Sequence, residues 1–354
     1  MVETLDIKVE KVSNSRISEV DFENIVFGRV YSDHMFISDY ENGQWGKNRI
    51  VPYQNLSMSP ATSILHYGQS IFEGLKAQKT ENGEILIFRP FDNFKRINIS
   101  AERMVIPQIS QDLFMQGLTE LVRLDSAWVP QKEGTSLYIR PYMFATDEYI
   151  GIRPSDNYKF IIFSCPVGAY YTKPVRVKIE TEYVRTVEGG TGYAKAAGNY
   201  AASLYPMSLA QKQGYDQLIW TDAKEHRFIE ESGTMNIMFV IDDTLVTAPA
   251  GNTVLRGITR DSVIQLAKYW GVKVEERPVT VDEVIDNISS GKLKEAFGTG
   301  TAATIAHIEA IGFGGKDYKL PPVENRVFSN RVLKTLSDFK SGKADDPFGW
   351  IYKL

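Results

Sequence analysis

The chain predicts an α+β fold with mixed α/β sheets, divided into two domains, and three observations carry that prediction. Its 354 residues exceed what one ordinary hydrophobic core serves. Short β-branched and aromatic runs outnumber helical patterns and do not alternate with them regularly, which disfavours a uniform parallel array. Near the middle, "GAYYTKPVRV" (168–177) follows an apolar run with a Gly/Pro-containing connector. The expected division is 1–170, a connector at 171–178, and 179–354.

Taken in order, "EILIF" (84–88) is a strand pattern bounded by turn residues. Over 92–104, Phe94, Ile97, Ala101 and Met104 recur at three and four residues, one face of a helix with Asp92 as its N-cap. "SLYIRPYMF" (136–144) and "YKFIIFSC" (158–165) are dense in the aromatic and β-branched residues that suit a pleated, half-buried surface. Beyond the connector come "VRVKIE" (175–180), "QLIW" (217–220), "MNIMFVI" (235–241) and "TLVTAP" (244–249), all strand-like. A helix from about 262 to 270 puts Val263, Leu266, Ala267 and Trp270 on one face. Gly271 stops it, and "VKVEE" (272–276) follows as a strand.

Composition narrows the class. Hydrophobic residues at 43% and charged residues at 24% describe a globular chain and exclude a disordered one. A net charge of −4 lacks the basic excess that neutralises phosphates, so no nucleic-acid partner is expected. The one cysteine, Cys165, sits in "FIIFSCPVGAYY" (160–171) and reads as a small buried hydrophobe. A single thiol permits no disulfide within the chain and no cysteine-based metal site, so no metal is expected and a reducing compartment fits. The N-terminal "MVETLDIKVEKVSN" resembles neither a secretory signal nor an arginine-rich transit peptide. The run at 160–171 falls short of the roughly 20 apolar residues that span a membrane. The expectation is a cytoplasmic protein without a membrane partner.

The chemistry concentrates around "EGGTGYAKAAGNYAAS" (188–203), where Lys195 stands among small residues. Such neighbours leave room for a bulky group on the amine; a solvated lysine in a surface loop is the plainer reading of this stretch alone. "LRGITRDSVIQLA" (255–267) places Gly257, Ile258 and Thr259 before an amphipathic helix, where free amides and the helix dipole favour an anion, or where Thr259 is an ordinary cap. "AFGTGTAATIAHI" (296–308) offers amides and hydroxyls for a phosphate or a plain turn, without the lysine of a P-loop. Arg89 ends a strand before Pro90, a position from which a guanidinium can fork onto a phosphate or simply face solvent. In "FIEESGTMNIMFV" (228–240) a glutamate pair precedes a buried strand; a carboxylate there can keep a pyridine nitrogen protonated, and a surface acidic pair is the plainer reading. Amine, carboxylate and phosphate cup together are what pyridoxal 5′-phosphate requires.

The segments "HYGQSIFEGLKA" (66–77), "FRPFDNFKRINISAERM" (88–104), "LYIRPYMFATDEYIGI" (137–152) and "CPVGAYY" (165–171) resemble those of branched-chain aminotransferases, the class IV pyridoxal-phosphate enzymes. So do "GGTGYAKAAGNYAAS" (189–203), "EESGTMNIMFV" (230–240), "LRGITRDSV" (255–263) and "FGTGTAATIAHI" (297–308). The resemblance runs in family order from about Phe27 to Ile308. It implies fold-type IV architecture: a smaller N-terminal α/β domain, a larger C-terminal domain carrying the cofactor lysine, the active site between them, and a homodimer.

Carried over position by position, Lys195 would form the Schiff base, Tyr200 would bond the cofactor's phenolate oxygen, and Glu231 would meet its ring nitrogen. Arg89, Ile258, Thr259 and Thr301 would hold the phosphate, with Thr234 and Gly257 beside them. Phe27, Phe72 and Tyr170 would form an apolar substrate wall. Tyr67 and Arg140 would catch a glutamate side chain, and Tyr138 with the Thr301–Ala302 turn would serve the α-carboxylate. Ile150 and Ile152 would reach in from a partner subunit. The implied reaction is reversible amino transfer between L-leucine, L-isoleucine or L-valine and 2-oxoglutarate. Some animal members carry a Cys-x-x-Cys pair where this chain has Ala303 and Ala306, so no thiol switch is expected there. The rivals are a D-amino-acid aminotransferase or aminodeoxychorismate lyase within the same fold, and a lysine-based aldolase or a cofactor-free binding protein outside it.

Overall fold

The computed structural model describes residues 4–168 and 170–354; Ala169 of the "CPVGAYY" stretch lies outside the described residues. The chain forms two compact units. One comprises Met1–Tyr170, Ala194–Ala197 and Asp338–Leu354, and the other Tyr171–Tyr193 and Gly198–Ser337. This differs from the expected division in three places. Residues 171–178 are not merely a connector, because the strand Val175–Ile179 begins within them and is buried in the second unit's sheet. Lys195, expected on the C-terminal domain, rides on a four-residue segment of the first unit, because Ala194 and Ala196 enter that unit's core. The last residues return to the first unit, where Ile351–Lys353 adds a strand beside Ile85–Phe88.

The first unit is built on a nine-stranded sheet. Its order is Lys8–Val9, Gln44–Pro52, His34–Glu41, Tyr158–Val167, Ser136–Ala145, Leu75–Lys79, Ile85–Phe88 and Ile351–Lys353, with Ser70–Phe72 also on Ser136–Ala145. Helices Pro90–Arg103 and Gln111–Leu124 cover one face, and Phe36, Phe114, Leu118, Phe160 and Ile162 interlock beneath them with no measurable exposure. Gln111–Leu124 starts where Ser110 accepts the Leu113 amide at 3.0 Å, an ordinary N-cap. Pro90–Arg103 begins three residues earlier than an Asp92 N-cap predicts, with Arg89 at the cap position. Proline's fixed φ suits the first helical position, and Arg89 turns the chain in a left-handed conformation (φ 52°). Asp92 instead falls in the first turn and accepts from Arg89 Nε at 2.7 Å.

A proline interior to a sheet has to be accommodated, since it donates nothing to the ladder. Opposite Pro141, the chain at 70–79 breaks between Ser70–Phe72 and Leu75–Lys79, leaving Glu73 and Gly74 outside the strands; the Glu73 amide still reaches the Pro141 carbonyl at 2.7 Å. Glu73 is fully buried there. Arg96 grips it with Nε to Oε1 at 2.7 Å and Nη2 to Oε2 at 2.8 Å, and Asn93 donates to Oε2 at 2.7 Å.

In the second unit the pairings return on themselves. Ile229–Ser232, Gln217–Thr221, Val175–Ile179, Thr304–Phe313, Leu293–Gly300 and Met235–Ile241 are neighbours in that order, and Met235–Ile241 pairs again with Ile229–Ser232. Closure leaves those six strands without a free edge. Val177, Ile219, Ile237, Phe239, Ala296 and Ile311 form the core. The helix expected from 262 runs Ile258–Tyr269, because Gly257, with extended backbone, is its cap; Gly271 (φ +72°) lies just past its end. Among the described residues no helix is long and apolar enough to cross a membrane.

Candidate active site

In the first unit, Lys195 is fastened by its backbone. Its amide donates to Ser100 Oγ at 2.9 Å, its carbonyl accepts the Phe72 amide at 3.1 Å, and Ala196 bridges Ile71 in antiparallel fashion. The glycines and alanines around it therefore let a short segment lie flat on the sheet. Its Nζ stands 4.8 Å from the centroid of the Phe72 ring. The guanidinium of Arg140 lies 4.6 Å from the same ring and 5.3 Å from that of Tyr138, within cation–π range. Arg140 donates from Nη2 to the Tyr138 hydroxyl at 3.1 Å, while its buried Nε has no hydrogen-bond partner among the described residues.

Tyr138 owes its position to a glycine. A Cβ on Gly74 would meet the Tyr138 hydroxyl at 2.2 Å, so only glycine lets that oxygen lie against the chain. Phe27 packs edge-on against Tyr138 (5.2 Å between centroids) and Tyr170 (5.1 Å). Lys195, Phe72, Arg140, Tyr138, Phe27 and Tyr170 are thus linked by contact. Tyr67, Ile150 and Ile152 are not drawn into that chain of contacts and stand on the surface; Ile152 is 95% exposed. Arg89 is buried beneath Trp350, with its guanidinium 5.2 Å from that ring and its amide bonded to the Trp350 carbonyl.

The second unit holds the carboxylate and the anion-friendly helix end. Glu231 is 3% exposed and lies opposite Trp220 on one side and Asn236 on the other. Its Oε1 accepts the Leu255 amide at 2.6 Å and Asn236 Nδ2 at 3.4 Å; Oε2 lies 3.2 Å from Arg185 Nε, a charge contact without hydrogen-bond alignment. Its neighbour Glu230 is also buried, and burial pushes that carboxyl above its ordinary range against the pull of Thr253 and Arg185. Both glutamates are therefore interior, which the plainer reading of a surface acidic pair did not anticipate.

Asn236 ties this carboxylate to the start of the Ile258–Tyr269 helix. It donates to the Leu255 carbonyl at 2.9 Å, and its Oδ1 lies where a Gly257 Cβ would be, 1.9 Å away. Among the described residues no side chain caps that helix, and Thr259 is buried in its first turn. Register sets Thr299 beside Asn236, and its buried hydroxyl has no hydrogen-bond partner among the described residues. Thr301 and Ala302 follow in the turn after Leu293–Gly300, Thr234 is exposed in the Ser232–Met235 hairpin, and Tyr200 is in the helix Ala197–Lys212. Sequence reasoning missed Arg185, Asn236 and Thr299. Asn236 did leave a signal, since an amide inside the apolar run "MNIMFVI" must find partners.

Residues 70–311 match the family described as amino-transferase class IV. The chain is 44% identical over 352 residues to branched-chain-amino-acid aminotransferase 2 of Bacillus subtilis (strain 168), covering 98% of this chain and 97% of that one. It is similar in structure to the branched-chain aminotransferase of Thermoproteus uzoniensis solved with norvaline (TM-score 0.75, 25% identity, 90% and 99% of the two chains). A further likeness is to the T.th. branched-chain amino acid aminotransferase with pyridoxamine 5′-phosphate (TM-score 0.72, 26% identity, 89% and 97%).

Proposed function

We propose, from the premise that this chain belongs to the class IV aminotransferase family and is a branched-chain-amino-acid aminotransferase, that it moves amino groups reversibly between L-leucine, L-isoleucine or L-valine and 2-oxoglutarate, using pyridoxal 5′-phosphate on Lys195. The observation that carries this reading is the buried Glu231 carboxylate, held beside an arginine and bonded to the loop that leads into a helix capped by a glycine and so without a side-chain cap.

The residues present fit the cofactor. Glu231 suits a pyridine nitrogen, the Ile258 and Thr259 amides and the Thr259 and Thr301 side chains suit a phosphate, and Lys195 offers the amine. Arg89 and Tyr200 complete the set, with Thr234 and Gly257 beside it. When bound, pyridoxal 5′-phosphate supplies an aldehyde carbon and an electron-withdrawing ring. Lys195 would hold that carbon through Nζ. The same amine, once free, would be the group that holds and moves a proton at the substrate's Cα, as a general base and then a general acid.

Both an aliphatic and an acidic side chain have to be accepted, and an unpaired carboxylate in an apolar wall costs several kcal/mol. Phe27, Phe72 and Tyr170 supply the wall. Arg140 supplies the answer to the carboxylate, since its buried Nε remains unpartnered among the described residues; Tyr67 assists, and Tyr138, Thr301 and Ala302 serve the α-carboxylate. The second reading, a homodimer, rests on exposed apolar side chains. Ile150 (62%), Ile152 (95%), Leu204 (69%) and Tyr205 (60%) invite a second copy.

The test is a coupled assay of purified protein with each branched-chain amino acid and 2-oxoglutarate, with D-alanine as control. Turnover of all three and none of D-alanine is expected, from a yellow protein that borohydride bleaches. A colourless protein that takes up no added pyridoxal phosphate would overturn the reading. Light scattering at fixed concentration reads the dimer, and a monomer retained at micromolar protein would refute that part.

A further inference from the structure

Arg185 stands ten positions before Lys195 and had no part in the expected site. Its side chain is 8% exposed, and among the described residues its hydrogen bonds and ion pair lead to one place. Nη2 donates to the Gly192 carbonyl at 3.0 Å and to the Thr253 carbonyl at 2.8 Å. Nε touches Glu231 Oε2 at 3.2 Å. The other Glu231 oxygen takes the Leu255 amide, two residues beyond Thr253. One guanidinium thus joins the loop before the lysine, the loop before the Ile258–Tyr269 helix, and the carboxylate between them.

We propose that Arg185 is a positioning residue for the cofactor reaction, holding Glu231 as a charged acceptor in the orientation its ring-nitrogen partner requires. The inference rests on the functional reading above and extends it to a residue outside the cofactor's own contacts. A buried carboxylate deprived of its cation takes up a proton more readily, and a protonated Glu231 no longer stabilises a positive ring nitrogen. Glu230 sharpens the need. It is a second carboxyl on the same strand, buried beside Arg185, and like charge at that distance further disfavours an ionised Glu231. Lysine has the charge but not the planar fork that reaches two carbonyls while facing a carboxylate.

The test compares Arg185→Met, Arg185→Gln and Arg185→Lys with the unsubstituted protein in two measurements. The first is infrared titration without cofactor, with the Glu231 band identified by its loss in Glu231→Gln. The second is the affinity for pyridoxal 5′-phosphate, by absorbance titration of the same preparations. In Arg185→Met, the pH at which the Glu231 band passes from carboxylate to acid should rise by about one to three units, and cofactor affinity at neutral pH should fall about tenfold or more. Arg185→Gln, which retains a donor for the loop carbonyls and so guards against a folding failure, should behave like Arg185→Met. Arg185→Lys should return the band most of the way. A band unmoved in Arg185→Gln, or cofactor affinity unchanged in it, would reduce Arg185 to a loop tie and overturn the proposal. Failure of the unsubstituted protein to take up pyridoxal phosphate would instead overturn the functional reading, and is read separately.

Discussion

Removing Arg96 should destabilise the protein far more than removing Arg96 and Glu73 together. Glu73 is fully buried and accepts two bonds from Arg96, at 2.7 and 2.8 Å, and one from Asn93 at 2.7 Å. Arg96→Met leaves a carboxylate in the interior with an amide side chain as its main partner. Breaking a buried pair from one side costs about 3–5 kcal/mol, whereas replacing both partners by apolar groups of similar volume is often neutral. At roughly 2–4 °C per kcal/mol for a unit of this size, the single variant should melt about 6–20 °C lower. The double variant Glu73→Met/Arg96→Met should recover most of that loss, with a coupling energy of about 2–4 kcal/mol across the cycle. Melting is followed at one fixed protein concentration, because association would otherwise shift the midpoint. Additive losses, with the double variant worse than either single, would refute the claim that the carboxylate is held by its charge partner. Phe72 and Gly74 flank Glu73, so the same single variant should also weaken substrate binding.

Other outcomes follow from the same structure. Arg140→Met should lower turnover of glutamate and 2-oxoglutarate by roughly ten- to a hundredfold, the worth of a charged hydrogen bond, with a much smaller change for leucine; equal losses would defeat its assignment. Burial pushes the Cys165 thiol up to about 11, so little of it is thiolate near neutrality. Activity should therefore resist mild peroxide, and reversible inactivation relieved by a reductant would contradict this. Burial, reinforced by Lys76, lowers the Lys340 amine to about 7. The unfolded chain then binds more protons than the folded one between about pH 7 and the ordinary lysine value, so stability from this group rises with pH across that window. Lys340→Met should raise the melting point most at and below pH 7, with the gain shrinking as pH climbs; a gain independent of pH would sink that account.

What the sequence made legible was local. "SLYIRPYMF", "YKFIIFSC" and "MNIMFVI" became the strands Ser136–Ala145, Tyr158–Val167 and Met235–Ile241, because a run of β-branched and aromatic residues states its conformation within its own length. The strand His34–Glu41 escaped notice. Its buried Asp39 spoils an apolar pattern, and is tolerated only because Arg49 and Lys159 meet it from neighbouring strands. Ring closure in the second unit could not be read either, since pairing between Ile229–Ser232 and both its neighbours depends on which strands meet, not on any period. The candidate site divides the same way. Lys195, Glu231 and Gly257 sit in recognisable small-residue contexts, whereas Arg185 is one charge in an ordinary loop whose meaning comes only from the carbonyls it reaches.

The return of residues 338–354 to the first unit has a consequence for how the protein is made. Ile351–Lys353 completes the sheet edge at Ile85–Phe88, and the Trp350 carbonyl and ring secure Arg89. During translation the unit begun first therefore has to wait, its border strand unpaired, while all of the other unit emerges from the ribosome. A nascent chain halted before residue 338 would expose that edge to chance partners, and would leave the arginine at the head of Pro90–Arg103 without its anchor.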